Sequence, residues 1–113
     1  QGVGWFCAWV SRQIAEEFPE VKSITTGELD QWLVDAGATP PVLLDVREPA
    51  EYAVSHLLRA IRVDPSARAG DLPPDLPNDA PIVVYCSVGY RSAVLAQRLH
   101  AAGFTNVRNQ LRP

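Results

Sequence analysis

The 113 residues contain no methionine and only two cysteines, Cys7 and Cys86. Two thiols are too few for a disulfide framework, and their separation has no metal-ligand spacing. Reduced thiols in a cytoplasmic protein fit this usage best, and one disulfide between the two stays open. A chain that starts at Gln1 and lacks methionine reads as a trimmed piece of a longer product. Long apolar runs are missing as well. The longest, residues 5 to 10, is far too short to cross a bilayer. No basic segment leads into a long apolar one, as it would in a secretory signal. An anchor upstream of Gln1 stays open. Positive charge is not in excess either. Ten Lys and Arg against thirteen Asp and Glu give a net charge of −3, which speaks against a nucleic-acid footprint.

What is present is ordinary globular material. The chain is 47% hydrophobic and 20% charged, a balance that decides against disorder, at the usual size of one domain. Trp5, Phe6, Trp9, Val10, Ile14 and Phe18 recur at helical spacing, with Arg12, Gln13, Glu16 and Glu17 opposite. They predict an amphipathic helix over residues 4 to 18, stopped by Pro19, as a separate N-terminal element within residues 1 to 20. An extended piece over residues 21 to 24 follows. Thr25 and Glu28 have capping-box spacing. The helix they open runs through Leu29, Trp32 and Leu33 to a stop at Gly37.

Residues 42 to 46 are short, apolar and bounded by prolines and charges, as in a buried strand. Pro49 suits the first turn of a short helix over residues 49 to 55. Residues 60 to 63 read as a short strand and residues 71 to 81 as a loop. Of the ten prolines, half fall between Pro65 and Pro81. The clearest buried strand, residues 81 to 85, runs straight into Cys86. A helix over residues 92 to 102, closed by Gly103, and a last short strand over residues 106 to 108 complete the chain. Strands alternating with helices predict an α/β fold: a small parallel sheet with helices on both faces, plus the extra N-terminal amphipathic helix. Ligands of such sheets bind at the carboxyl ends of the strands, where Asp45 and Cys86 fall.

Chemistry concentrates in Cys86-Ser87-Val88-Gly89-Tyr90-Arg91-Ser92. A strand delivers Cys86 to the sheet edge, and a tight loop turns into a helix. Gly89 admits backbone angles that other residues resist. Successive loop N–H groups can form an anion-binding nest, the helix N-terminus adds about half a positive charge, and Arg91 adds a whole one. Together these are expected to favour a thiolate at Cys86, the nucleophilic form, without a histidine base. An anion cradle suits a small anionic sulfur donor such as thiosulfate. Attack on its sulfane sulfur would expel sulfite and leave a persulfide held by the loop amides and Arg91. The bland reading of a cysteine at a strand end is a small buried hydrophobe. The Cys-x-x-x-x-Arg-Ser spacing between a strong strand and a strong helix outweighs it.

With these residues in place, the sequence resembles the rhodanese family from Ile24 to Asn109. The resemblance is carried by Leu43-Leu44-Asp45-Val46-Arg47-Glu48-Pro49-Ala50-Glu51-Tyr52, by Ser55-His56-Leu57 with Ala60-Ile61, and by Val84-Tyr85 leading into the Cys86 to Ser92 loop. It implies a rhodanese-like domain over residues 21 to 113 and a single-domain sulfurtransferase. In it Cys86 would carry the persulfide, amides from Ser87, Val88, Gly89, Tyr90 and Ser92 would bind the sulfur, and Arg91 would assist. No cofactor and no metal is implied. Partners would be the sulfur donor and a thiol or sulfur-acceptor protein. Rhodanese-fold phosphatases and similar arsenate reductases have one more residue between Cys and Arg, so the four residues here speak against phosphatase chemistry. A rhodanese-like module that binds a partner without turnover is the alternative. Members usually have glycine where Arg59 stands, so that turn is expected to differ or to carry strain. They also continue past Asn109 with a Gly-Gly turn and a final helix. Its apparent absence would bare core surface that the N-terminal helix or another chain would cover.

The remaining candidates carry less chemistry. Asp45 and Arg47 follow a strand end and are possible supporting residues, more often scaffold than catalyst, and Arg47 with Glu51 has the spacing of a helix-start ion pair. His56 could approach the pocket but is read first as surface or packing, His100 as solvated or complementing the charge of a helix C-terminus, and Cys7 as inert packing or an exposed thiol. The aromatic N-terminal stripe suggests core or a possible homodimer surface.

Overall fold

The computed structural model describes residues 2–35, 37–87 and 89–111, without the side chains of residues 2–8. Val88 therefore lies outside the described residues, and Trp5, Phe6 and Cys7 outside the described side chains. Helices α1 (Gly2–Glu17), α2 (Thr26–Val34), α3 (Pro49–Val54) and α4 (Tyr90–Ala101) alternate with strands β1 (Lys22–Thr25), β2 (Val42–Asp45), β3 (Ile61–Arg62), β4 (Ile82–Tyr85) and β5 (Val107–Leu111). All strand pairs are parallel, in the order β1-β5-β4-β2-β3. The proline-rich connection before β4 contains one 3-10 turn, Ala69–Asp71.

Successive strand side chains point to opposite faces, and this alternation sorts the core. Leu44, Ile82, Val84 and Val107 pack with Leu95, Ala96 and Leu99 of α4. Leu43, Val83 and Tyr85 face the other way, with Leu29 and Trp32 of α2 and Tyr52 of α3. Helices thus cover both faces of the α/β sheet. Each fully buried Val, Leu or Ile contributes about 1.5–3 kcal/mol of apolar burial. On the far side of α4, Ile14 of α1 and Phe18 just beyond its end form a third cluster with Ala93, Val94 and Leu111. Among the described residues no helix is long and apolar enough to cross a membrane.

Boundaries differ from the sequence expectation in informative ways. The capping box is present: Thr25 Oγ1 accepts from the Glu28 N–H at 3.1 Å, and Glu28 Oε1 from the Thr25 N–H at 2.9 Å. Helix α2 nevertheless stops at Val34, because Asp35 already adopts extended angles. Helix α4 starts at Tyr90, two residues before Ser92, since the Gly89 carbonyl accepts from the Ala93 N–H at 3.1 Å. The larger difference is β5. Expected as three residues ending at Arg108, it runs to Leu111 and lies inside the sheet, bonded to both β4 and β1.

Candidate active site

Strand β4 ends at Tyr85, and Cys86 follows at the carboxyl edge of the sheet, partly buried and free of any disulfide. The Gly89 N–H donates to Cys86 Sγ at 3.0 Å, and Ser92 Oγ lies 3.4 Å from the same sulfur. Gly89 is required here for two reasons. Its φ of +98° lies where side chains are strained, and a Cβ would sit 2.9 Å from Leu111 Cδ2 and 3.4 Å from Ile14 Cδ1. Local chain geometry and α1 packing therefore converge on one position.

Two cavities meet at Cys86 and Ser87, with Arg47 bordering both. One, of about 420 Å³, opens toward Thr26, His56, Leu57 and Gln110. The other, of about 430 Å³, carries Glu48, Glu51, Tyr90 and Arg91. The Arg91 guanidinium donates to Glu48 Oε1 at 3.3 Å, and the two side chains are 52% and 63% exposed. Such an exposed pair is worth about 0–1 kcal/mol, so it is easily broken. No hydrogen bond joins Arg91 to Cys86 among the described residues. Ser87 Oγ donates to Glu51 Oε2 at 3.0 Å. The Glu48 backbone N–H, followed by the Ser87 hydroxyl, holds the Glu51 carboxyl below its ordinary range. Tyr90 lines the second cavity with its hydroxyl committed elsewhere. Its hydroxyl donates to Glu17 Oε2 at 2.6 Å, and its ring meets Phe18 edge-on at 5.6 Å.

Asp45 is fully buried beside this edge. Burial works against its charge, but the Arg47 guanidinium and backbone N–H outweigh it and hold the carboxyl below the usual value. Arg47 turns back onto Asp45, at 2.7 Å, rather than forward onto Glu51 at helical spacing. Tyr85, on the same face, is pushed up to about 12, first by burial and further by the Asp45 charge, against the Leu57 N–H donated to its hydroxyl. It is a neutral wall. His56 stacks on Tyr52 at 3.7 Å between ring centroids and places Nδ1 2.7 Å from the Tyr52 carbonyl, on the rim of the first cavity. Arg59 adopts a φ of +69°, the left-handed conformation that glycine takes most easily.

Sequence reasoning missed Asn109. It is 1% exposed on β5, donates from Nδ2 to the Gly89 carbonyl at 3.0 Å, and accepts from Ser92 Oγ at 2.5 Å. A signal for it existed: in a strand, Asn109 shares the face of Val107, which packs against α4. Ser92 is likewise fully buried, reaching the sulfur by its hydroxyl. Among the described residues no three His, Cys, Asp or Glu side chains converge as a metal site.

The model of the rhodanese-like domain family matches residues 25–110. Over 102 residues, 89% of this chain, the sequence is 34% identical to the probable adenylyltransferase/sulfurtransferase MoeZ of Mycobacterium tuberculosis. The chain spans about a quarter of that protein, the match covering 25% of it. A rhodanese-like domain protein from Staphylococcus aureus superposes with a TM-score of 0.69 at 27% identity, over 80% of this chain and 85% of that one. The human single-domain sulfurtransferase TSTD1 superposes with a TM-score of 0.63 at 22% identity, over 80% and 89%, a likeness of fold. A family match running from the capping box of α2 through the Cys86 loop to β5, on a fold that superposes on a rhodanese-like domain protein, makes this chain a member of the rhodanese-like family.

Proposed function

We propose that the chain is a sulfurtransferase that carries sulfane sulfur on Cys86. The observation that supports it most directly is the placement of the Gly89 N–H on Cys86 Sγ, in a four-residue loop where two cavities meet. A donor aimed at sulfur stabilises charge that develops there. With thiosulfate, Cys86 Sγ attacks the sulfane sulfur. The sulfur–sulfur bond of the donor breaks, its electron pair leaves with sulfite, and a new bond forms to Sγ. The terminal sulfur then passes to a thiophilic acceptor, cyanide, a thiol or an acceptor protein, and Cys86 is regenerated. Arg91 is the cation within reach of an anionic donor once it leaves Glu48.

The test is intact-protein mass spectrometry after incubation with thiosulfate, comparing wild type with Cys86→Ser. The reading expects a gain of one sulfur atom, reversed by cyanide and absent from the variant. A folded wild type that takes up no sulfur from thiosulfate or from a persulfide donor would instead favour a binding module without turnover.

A further inference from the structure

Three polar side chains are buried among the described residues: Asp45, Ser92 and Asn109. Arg47 neutralises Asp45. The other two form a chain that ends on the sulfur. A carboxamide fits either way round, and its neighbours decide the orientation. The Gly89 carbonyl can only accept, so Asn109 turns Nδ2 toward it, at 3.0 Å. Oδ1 then faces Ser92 and takes its hydroxyl proton. A hydroxyl has one proton to give. With that proton on Asn109, the Ser92 hydroxyl oxygen is held in place 3.4 Å from Cys86 Sγ. The Gly89 N–H closes a ring by donating to Sγ at 3.0 Å. Each proton is used once, and no buried side-chain polar atom among those described lacks a partner.

We propose that Asn109 is the positioning residue of the Cys86 loop, acting through the Gly89 carbonyl and the Ser92 hydroxyl to aim the sulfur into the two cavities. The inference rests on the reading of Cys86 as the reacting group. Asn109 suits the task because β5 is held by ladders on both sides and is a firm base for a short loop. The Gly89 carbonyl also opens α4 through the Ala93 N–H, so one atom fixes both the loop and the helix start. Misplacing a reacting atom by about 1 Å costs a rate on the order of 100-fold.

The test uses Asn109→Leu, which keeps an apolar filling of similar size and removes both hydrogen bonds. In the folded variant, persulfide formation at saturating thiosulfate should slow at least about tenfold while the thiosulfate KM stays within about threefold. Alkylation of Cys86 by iodoacetamide should slow in parallel. A merely structural asparagine would lower the melting temperature and leave both rates of the folded protein unchanged, and that result overturns the proposal. If wild type forms no persulfide, the sulfurtransferase reading fails while the alkylation comparison still decides the role of Asn109. If Asn109→Leu does not fold, proton NMR of the wild type decides. A slowly exchanging Ser92 hydroxyl proton with a cross-peak to the Asn109 carboxamide is expected. Rapid exchange of that hydroxyl overturns the proposal.

Discussion

Arg47 grips Asp45 with two nitrogens, Nε at 2.9 and 3.1 Å from the two carboxylate oxygens and Nη2 at 2.7 Å from Oδ2, while Nη2 also holds the Ser55 carbonyl at 2.6 Å. One guanidinium thus ties the end of β2 to the end of α3, in the wall of the first cavity. The lowered folded value of Asp45 makes its contribution present above its ordinary value of 3.8, and lost as pH falls through the folded value. Asp45→Asn leaves Arg47 without its counter-charge and is expected to cost about 3 kcal/mol at pH 7. Urea unfolding should show the gap to wild type narrowing below about pH 4. A gap of constant size down to the lowest pH would refute this role of the carboxylate.

Arg59 is the one non-glycine residue with positive φ among those described. Arg59→Gly relieves that strain, at the cost of a more flexible unfolded chain. The balance is a gain of about 0.5–1 kcal/mol. Its thermal midpoint should rise with Cys86 reactivity unchanged, and a fall in the midpoint would show the Arg59 side chain to matter more than its backbone.

Gly89→Ala combines a left-handed φ with a Cβ pressed on Leu111 at 2.9 Å. It should destabilise by about 1–3 kcal/mol. Because the same residue donates to Cys86 Sγ, Cys86 alkylation should slow even in the folded fraction. Denaturant titration followed by iodoacetamide labelling separates the two effects, and wild-type labelling in the folded variant would contradict the second.

Glu48→Gln frees Arg91 from its exposed pairing and removes one negative charge from the second cavity. For an anionic donor the KM should fall about threefold at low salt, and the difference should shrink as salt rises. Steady-state assays with thiosulfate at two ionic strengths measure this. An unchanged KM at both would place the donor outside the reach of Glu48.

Much of this architecture is legible in the sequence where apolar runs and turn residues agree. Val42 to Asp45 and Ile82 to Tyr85 are strands because their side chains are buried on both faces. The capping box at Thr25 is a local pattern and appears as written. Strand β5 is less legible because its middle is Arg108, Asn109 and Gln110. Each of these has a partner from a distant segment: Arg108 lies 5.3 Å from the Trp32 ring, Asn109 holds Gly89, and Gln110 donates to Thr26 at 3.0 Å. The alternation with Val107 places Asn109 on the α4 face, but long-range polar pairing leaves no apolar run to read. The helix start at Tyr90 was hidden for a related reason. Its cap is the glycine backbone, not a side chain that could be read from the sequence. Arg47 escaped the spacing argument because a buried carboxylate two residues away outcompetes an exposed one four residues on.

Strand β5 is the last strand along the chain, yet it is seated between β4 and the first strand, with Lys22 opposite Arg108. The sheet therefore closes only when segments more than eighty positions apart have met, as the Lys22 and Arg108 register requires. Such non-local pairing slows folding, and a chain made from its N-terminus exposes Cys86 before Asn109 exists to pair with Gly89 and Ser92. The surroundings of Cys86 are thus completed only once β5 has been made, and until then its sulfur stands on an unfinished edge, open to oxidation and to pairing with other chains.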